Sequence, residues 1–188
     1  MSKLIVVHPP NDSESDIEVR KKLLKRIKME QGKVVIMEIG SFYFEDEEKE
    51  SIQKPYELIE KDWNDFGWYV YLDSIKPSDD FIKEFSQFLY KNKINSHEHL
   101  LEFTNENKAF RKYYNQIFQQ HVDIDNSEDF YDSIISPFNK SVEIFQDYLS
   151  DGDVLIGGSV DSCLKELEFM YNVMGLSYQI DHPYTYSG

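Results

Sequence analysis

Residues 153–180, DVLIGGSVDSCLKELEFMYNVMGLSYQI, contain the pattern that decides the fold. The apolar run at 154–156 predicts a buried strand, and a double glycine with a polar turn follows it. Apolar residues at helical spacing then predict a helix over 163–174, which Gly175 ends as a C-cap. The segment LSYQI at 176–180 predicts a further strand. The unit is therefore strand, turn, helix and strand.

The first 40 residues show the same order of elements. LIVV at 4–7 is a continuous apolar run that two prolines end, and KVVIMEIG at 33–40 is a second apolar run. Such runs are typical of strands that are buried on both faces of a parallel sheet. Residues 13–31 between them have helical spacing, so the segment predicts a right-handed crossover. We predict an α/β fold of Rossmann type, a three-layer parallel sheet with helices on both faces.

The middle of the chain is predicted to be mostly helical. Its predicted elements are a helix at 54–65, a strand at 68–74, helices at 79–91 and 97–119, and a less regular helical segment at 128–149. No composition shift marks a domain boundary. We therefore predict a single domain over residues 1–188, with a mostly helical insertion at approximately 79–150.

Charge and composition exclude several classes of function. The chain has 35 acidic and 20 basic side chains and a formal net charge of -15, which argues against binding nucleic acid. No apolar run approaches the ~18 residues that a membrane-spanning helix needs, so no membrane association is expected. One cysteine cannot form an intramolecular disulfide, and no secretory leader is recognisable. We expect a cytoplasmic protein.

A basic segment, RKKLLKRIK at 20–28, interrupts this acidic chain. Leu23, Leu24 and Ile27 are predicted to pack inward, which leaves the basic side chains on a solvated helix face. The same helix could also meet the acidic segment EDEEKE at 45–50.

The single cysteine, Cys163, is predicted to lie in the first turn of a helix. Free N–H groups and the helix macrodipole favour an anion there, such as a thiolate, and the same N–H groups can form an oxyanion hole. The alternative is that the residue is a small buried hydrophobe, as many free cysteines are. The glycines before it allow close approach of a substrate, and the polar residues can cap the helix. The predicted oxyanion and substrate-binding residues are Gly157, Gly158, Ser159 and Asp161.

Both ends of the chain resemble the isochorismatase-like cysteine hydrolases, a family that includes nicotinamidases and N-carbamoyl amidohydrolases. Its nucleophile segment has an aspartate two residues before the cysteine and a glycine about one helix later, and Asp161 and Gly175 stand at those positions. The usual threonine three residues before the cysteine is Val160 here. At the N-terminus LIVVHPPND aligns with the family's first strand and turn without a gap. His8 stands where the family has a catalytic aspartate.

The resemblance implies a site at the carboxyl ends of the strands and a triad of aspartate, lysine and cysteine, in which the cysteine attacks an amide or similar carbonyl. One alignment puts Asp132 near the lysine position, and another puts Lys76 there. We prefer Asp132 on spacing. His8 and Cys163 would then form a base and nucleophile pair, with Asp132 or Asp12 orienting the imidazole. The ordinary pKa of histidine, ~6.5, suits a base at neutral pH.

We therefore expect a divergent cysteine hydrolase, either active on a C–N bond or a pseudoenzyme, that binds a small amide or carbonyl compound near Cys163. A different class of function is an acidic interaction protein that uses the fold as a scaffold for a basic partner. No cofactor is expected. No metal is expected either, because EIGSFYF at 38–44 lacks the family's histidine and because His97 and His99 face different sides of a helix. A homo-oligomer is expected, since family members commonly oligomerise.

Overall fold

The computed structural model describes residues 2–11, 14–61, 79–108, 111–112, 135–160 and 163–186. The chain divides into two compact units. The sheet unit consists of Met1–Trp63 and Asp147–Gly188, and the helical unit consists of Asn64–Gln146.

The helices and strands of the sheet unit follow in chain order, with the helical unit between β3 and β4. They are β1 (Lys3–Val7), α1 (Glu14–Met29), β2 (Lys33–Ile39), α2 (Asp46–Glu50), β3 (Glu57–Lys61), β4 (Asp153–Gly157), α6 (Cys163–Met174), β5 (Tyr178–Ile180) and a 3₁₀ turn (His182–Tyr184). The described residues of the helical unit include α3 (Asp79–Asn92), α4 (His97–Glu106) and α5 (Ser136–Gln146).

The five strands form one parallel sheet in the order β3-β2-β1-β4-β5, which confirms the predicted α/β class. The chain moves outward from β1 to β3 on one side and from β4 to β5 on the other. Right-handed crossovers consequently place α1 and α6 on opposite faces of the sheet. The direction reverses between β1 and β4, and open α/β sheets bind ligands at the carboxyl ends of strands at such a reversal.

The core lies on both faces of the central strands. The four apolar residues of β1 from Leu4 to Val7 are almost fully buried, as the continuous apolar run predicts. One side of the sheet packs against α1 in a cluster that includes Leu4, Val6, Leu23, Leu24, Ile27, Val34 and Ile36. On the other side, the environment of Gly158 brings Val7 together with Leu164 of α6.

The basic segment is solvated only in part, because Arg20 is buried and Arg26 is half-buried. Lys21, Lys22 and Lys25 are exposed on α1, while Leu23 and its apolar neighbours are buried. The predicted contact with the acidic segment also forms. Arg20 Nε lies 3.0 Å from a carboxylate oxygen of Glu48 in α2.

The prediction of a helix at 54–65 is wrong, because the structure has strand β3 there. β3 is an edge strand, so Glu57 and Glu60 can face solvent while Ile59 and Lys61 are buried. A short, charged alternation of this kind is easily mistaken for a helix turn. The strand predicted at 68–74 lies outside the described residues.

Elsewhere the predicted elements are close to the observed ones. α6 has the predicted bounds, and Gly175 follows it with a φ of 70°, the left-handed conformation of a C-cap glycine. α4 ends at Glu106, well before the predicted end at residue 119. Within the described ranges, no helix is long and apolar enough to cross a membrane.

Candidate active site at the carboxyl edge of the sheet

His8 directly follows β1 at the carboxyl edge. Its backbone N–H donates to the Met37 carbonyl at 2.9 Å, and its residue exposure is 2%. Its φ of 40° is left-handed, so the chain leaves the extended conformation at this residue. The Tyr186 hydroxyl donates to the His8 carbonyl at 2.6 Å, which holds the turn from the C-terminal side.

The two glycines after β4 allow the neighbouring strand to approach closely. Gly157 and Gly158 have φ values of 73° and 66°, which a residue with a side chain rarely adopts. A Cβ added to Gly157 would lie 2.5 Å from the Val7 carbonyl oxygen. The close approach expected here for a substrate is therefore made, in the structure, by the end of β1.

Ser159 and Cys163 mark the path from β4 into α6. The Ser159 carbonyl accepts from the Leu164 N–H at 3.0 Å, and Ser159 also forms a parallel bridge with Tyr186. Cys163 is the first residue of α6 and is 9% exposed. The structure thus places the thiol at the helix start, as predicted. Four further residues that the sequence singled out lie outside the described residues, and they are Asp12, Lys76, Asp132 and Asp161.

A buried ion pair, which the sequence did not predict, lies at the same edge. Lys61 Nζ at the end of β3 is 2.7 Å from Glu166 Oε1 of α6, and the side chains are 0% and 1% exposed. Glu166 follows Cys163 by three residues, so both occupy one side of the helix, one turn apart. Strand β3 therefore contributes the cation Lys61, and α6 contributes the anion Glu166 one helical turn from Cys163.

Strand register explains how Lys61 reaches this position. Ile59 pairs with Met37, and Met37 pairs with Val7, so the three side chains lie on one face of the sheet. Lys61 is two residues after Ile59 and shares that face, which is the face that Leu164 of α6 covers. Lys61 pairs with Ile39, two residues after the partner of Val7, so it lies two residues beyond the end of β1 along the strand direction.

The environment of His8 makes its imidazole neutral. Burial, followed by the positive charge of Lys61, lowers the pKa of His8 from 6.5 to about 3. The parallel register places His8, after β1, and Lys61, at the end of β3, at the same edge of the sheet. His8 Nδ1 is buried and has no hydrogen-bond partner among the described residues. Because an unpaired buried polar atom is costly, it needs an explanation such as a ligand or a bound water.

A hydrogen-bonded network fixes the loop that follows His8. Arg20 Nη1 donates to the Pro10 carbonyl at 3.0 Å and to Asn11 Oδ1, while Arg20 Nε pairs with Glu48. Asn11 in turn donates to Glu45 at 3.0 Å. The segment that resembles the family's first turn is therefore anchored to α1 and to the start of α2.

Neither Lys61 nor Glu166 was among the residues predicted for the site. The sequence does contain one signal for Glu166. It lies between Cys163 and Met170 at spacings of three and four residues, on the helix face that is otherwise apolar. A carboxylate at such a position is either exposed at the edge of the face or paired, and here it is paired. Lys61 was missed because residues 54–65 were predicted to be a helix, so its position at the end of a strand was not recognised.

Two further features bear on ligand binding. In the part of the chain that the structure describes, no three His, Cys, Asp or Glu side chains are grouped to hold a metal ion. The helical unit has a cleft of about 640 Å³ between the end of α3 and α5. It is lined by Leu89, Tyr90, Lys91, Lys93, Ile94, Asn95, Asn139, Val142, Glu143 and Gln146, which include none of the predicted site residues.

Comparison with protein-family models, curated proteins and solved structures finds no significant match. The resemblance to the isochorismatase-like hydrolases therefore stays a prediction from the two segments. The function has to be argued from the geometry of the carboxyl edge.

Proposed function

We propose that the carboxyl edge of the sheet binds a small, neutral amide or carbonyl compound next to Cys163, in the manner of a divergent cysteine hydrolase. One observation carries the proposal. The buried Nδ1 of His8 has no hydrogen-bond partner among the described residues, and the positive charge of Lys61 acts on His8. Lys61 pairs with Glu166, which lies one helical turn from Cys163 on α6.

The charges at the edge favour a neutral ligand. Lys61 is paired with Glu166, and the lowered pKa keeps His8 uncharged at neutral pH. These three side chains therefore carry no net charge with which to offset the desolvation of a carboxylate or phosphate. An amide can instead offer both an N–H group and a carbonyl oxygen. Either of them satisfies the imidazole nitrogen in one of its two neutral tautomers.

The position of Cys163 suits attack on such a carbonyl. The thiolate adds to the carbonyl carbon, and the oxyanion that forms lies near the start of α6, where the helix macrodipole favours an anion. Loss of the amine leaves a thioester, and water then hydrolyses the thioester to the acid. This is the reaction that the resemblance implies, and each step uses only the cysteine, the helix start and a proton acceptor.

Protection of Cys163 from alkylation tests the proposal. Nicotinamide and benzamide are the neutral probes, iodoacetamide is the reagent, and labelling is read by mass spectrometry of the peptide. We expect at least one neutral probe to slow labelling severalfold, with benzoate as the anionic control that does not protect. Ammonia release that disappears in Cys163→Ala would show turnover. Labelling that no neutral amide slows would refute the proposed site.

The formal net charge of -15 supports the second candidate, an acidic scaffold for a basic partner. Oligolysine is the matching probe. Binding that weakens steeply between low and physiological salt, together with a thiol that no amide protects, would favour this function over the first.

A further inference from the structure

We infer that Glu166 is the catalytic proton acceptor for Cys163 and that Lys61 is the positioning residue that holds the Glu166 carboxylate. The inference rests on the proposed function for the identity of the substrate. The proton transfer itself needs no substrate and can be tested alone.

Helix geometry brings the two groups together. Side chains three residues apart on a helix have Cβ atoms about 5–6 Å from each other, within reach of a thiol and a carboxylate. Both Cys163 and Glu166 are buried on α6. The 2.7 Å contact with Lys61 fixes one carboxylate oxygen, Oε1, and leaves the carboxylate further lone pairs that can accept a proton.

His8 is less suited to this role, although it takes the place of the aspartate in the resemblance. Burial and the charge of Lys61 lower the pKa of His8 to about 3, so a proton on its imidazole is strongly disfavoured. A cation at His8 would also stand next to Lys61 in a buried region. We assign His8 to ligand contact through Nδ1 instead.

Conservation of charge is the main physical argument. When the Cys163 thiol gives its proton to Glu166, the carboxylate becomes a neutral acid and the sulfur becomes an anion. The Lys61 ammonium, which had paired with the carboxylate, now faces the thiolate. The buried group has one cation and one anion before and after the step, so no new charge has to be desolvated.

The remaining steps balance in the same way. The thiolate forms the C–S bond, the C–N bond breaks, and the leaving nitrogen takes the proton from Glu166. Water then gives one proton to the Glu166 carboxylate while its oxygen bonds to the carbonyl carbon. The C–S bond breaks, and the sulfur recovers the proton from Glu166. The sum is an amide and water giving an acid and an amine, with Lys61 protonated throughout.

The pH dependence of Cys163 alkylation, measured without ligand, tests the assignment. The rate with iodoacetamide is compared from about pH 6 to about pH 8 in the wild type and in Lys61→Met/Glu166→Leu. An internal proton transfer exchanges no proton with solvent, so the wild-type rate should change less than about threefold. The double variant lacks the carboxylate that accepts the proton, so its rate should rise about tenfold per pH unit.

Glu168→Gln is the matched control, because Glu168 lies on the same helix with its carboxylate 2.9 Å from the Tyr178 hydroxyl. It should keep the flat wild-type profile. A wild-type rate that rises tenfold per pH unit overturns the inference without any variant. An equally flat profile in the folded double variant, with near-ultraviolet circular dichroism as the folding check, also overturns it. A flat wild-type profile without amide protection would defeat the proposed function while supporting the proton transfer.

Discussion

Lys61 Nζ and Glu166 Oε1 lie 2.7 Å apart at the carboxyl edge of the sheet, and neither side chain is more than 1% exposed. The contact joins β3, at one end of the strand order, to α6, which follows β4 on the other side of β1. Removing two charges from water costs several kcal/mol each, and apolar residues of similar volume often replace such pairs without loss of stability. Stability alone therefore does not account for the pair, which is why we assign it to the chemistry of Cys163.

Single and double substitutions of the pair should differ in stability. Lys61→Met leaves the Glu166 carboxylate buried without its cation and should lower the free energy of unfolding by about 3–5 kcal/mol. Lys61→Met/Glu166→Leu should be within about 1 kcal/mol of the wild type or more stable. Urea unfolding measures both. Lys21→Met, which breaks an exposed pair with Glu18, serves as the control and should leave the free energy of unfolding almost unchanged. A double variant as unstable as the single one would contradict this prediction.

Acid should destabilise the protein through His8. The pKa of His8 is about 3 in the folded protein and 6.5 as a model value for the unfolded chain, so between these values only the unfolded state binds the proton. The contribution is complete above pH 6.5 and is lost as the pH falls toward 3. From about pH 7 to about pH 5 the free energy of unfolding should fall by about 2 kcal/mol from this group.

His8→Asn is the comparison, since it removes this titration but leaves the other histidines. Its unfolding free energy should vary less with pH than that of the wild type over the same range. Equal pH slopes for the two proteins would mean that His8 titrates alike when folded and unfolded. A direct check is the imidazole resonance, which should show no protonation down to about pH 4.

Two glycines with similar backbone angles should respond differently to alanine. Gly157 and Gly175 have φ values of 73° and 70°, but a Cβ at Gly157 meets the Val7 carbonyl oxygen at 2.5 Å, while one at Gly175 meets nothing within 4 Å. Gly175→Ala should cost about 1–2 kcal/mol from the left-handed conformation alone. Gly157→Ala adds the clash and should cost about 3 kcal/mol or more. Thermal unfolding separates the two, and equal losses would argue against the close approach of β4 to β1.

The hydroxyl of Tyr186 should contribute to the turn at His8. Tyr186→Phe removes its hydrogen bond to the His8 carbonyl and should cost about 1 kcal/mol. The altered turn should also change the rate of Cys163 alkylation. Tyr184→Phe is the control nearby, because its hydroxyl makes no hydrogen bond in the described ranges, and it should change stability by less than about 0.5 kcal/mol. If the two variants behave alike, the hydrogen bond is of no consequence.

The sequence predicts the centre of the sheet well. β1 and β2 are continuous apolar runs because both of their faces are buried, and the helix from Cys163 to Met174 has a regular apolar spacing and a glycine C-cap. These signals are local, so a single sequence is enough to read them. The placement of His8 and Cys163 at one edge followed from the parallel order of the strands.

The buried pair could not be predicted in the same way, because its signal is not local. Lys61 lies in a strand, ELIEK, whose charged and apolar residues resemble a helical pattern. Glu166 is of a residue type that is usually exposed on a helix. Each side chain can be buried only because it pairs with the other, which comes from a distant part of the sequence. Long-range pairing of two charges leaves no periodic trace in the sequence.

The bridge between Ser159 and Tyr186 has a practical consequence for making the protein. A fusion placed directly after Tyr186 would begin next to the loops that follow β1 and β4, where it would compete with small molecules or with alkylating reagents. Lys3, by contrast, bonds through its backbone N–H to Asp153 at the opposite edge of the sheet, 2.7 Å from Oδ1. A fusion placed before Lys3 and cleaved before assay is therefore the better choice for each of the experiments above.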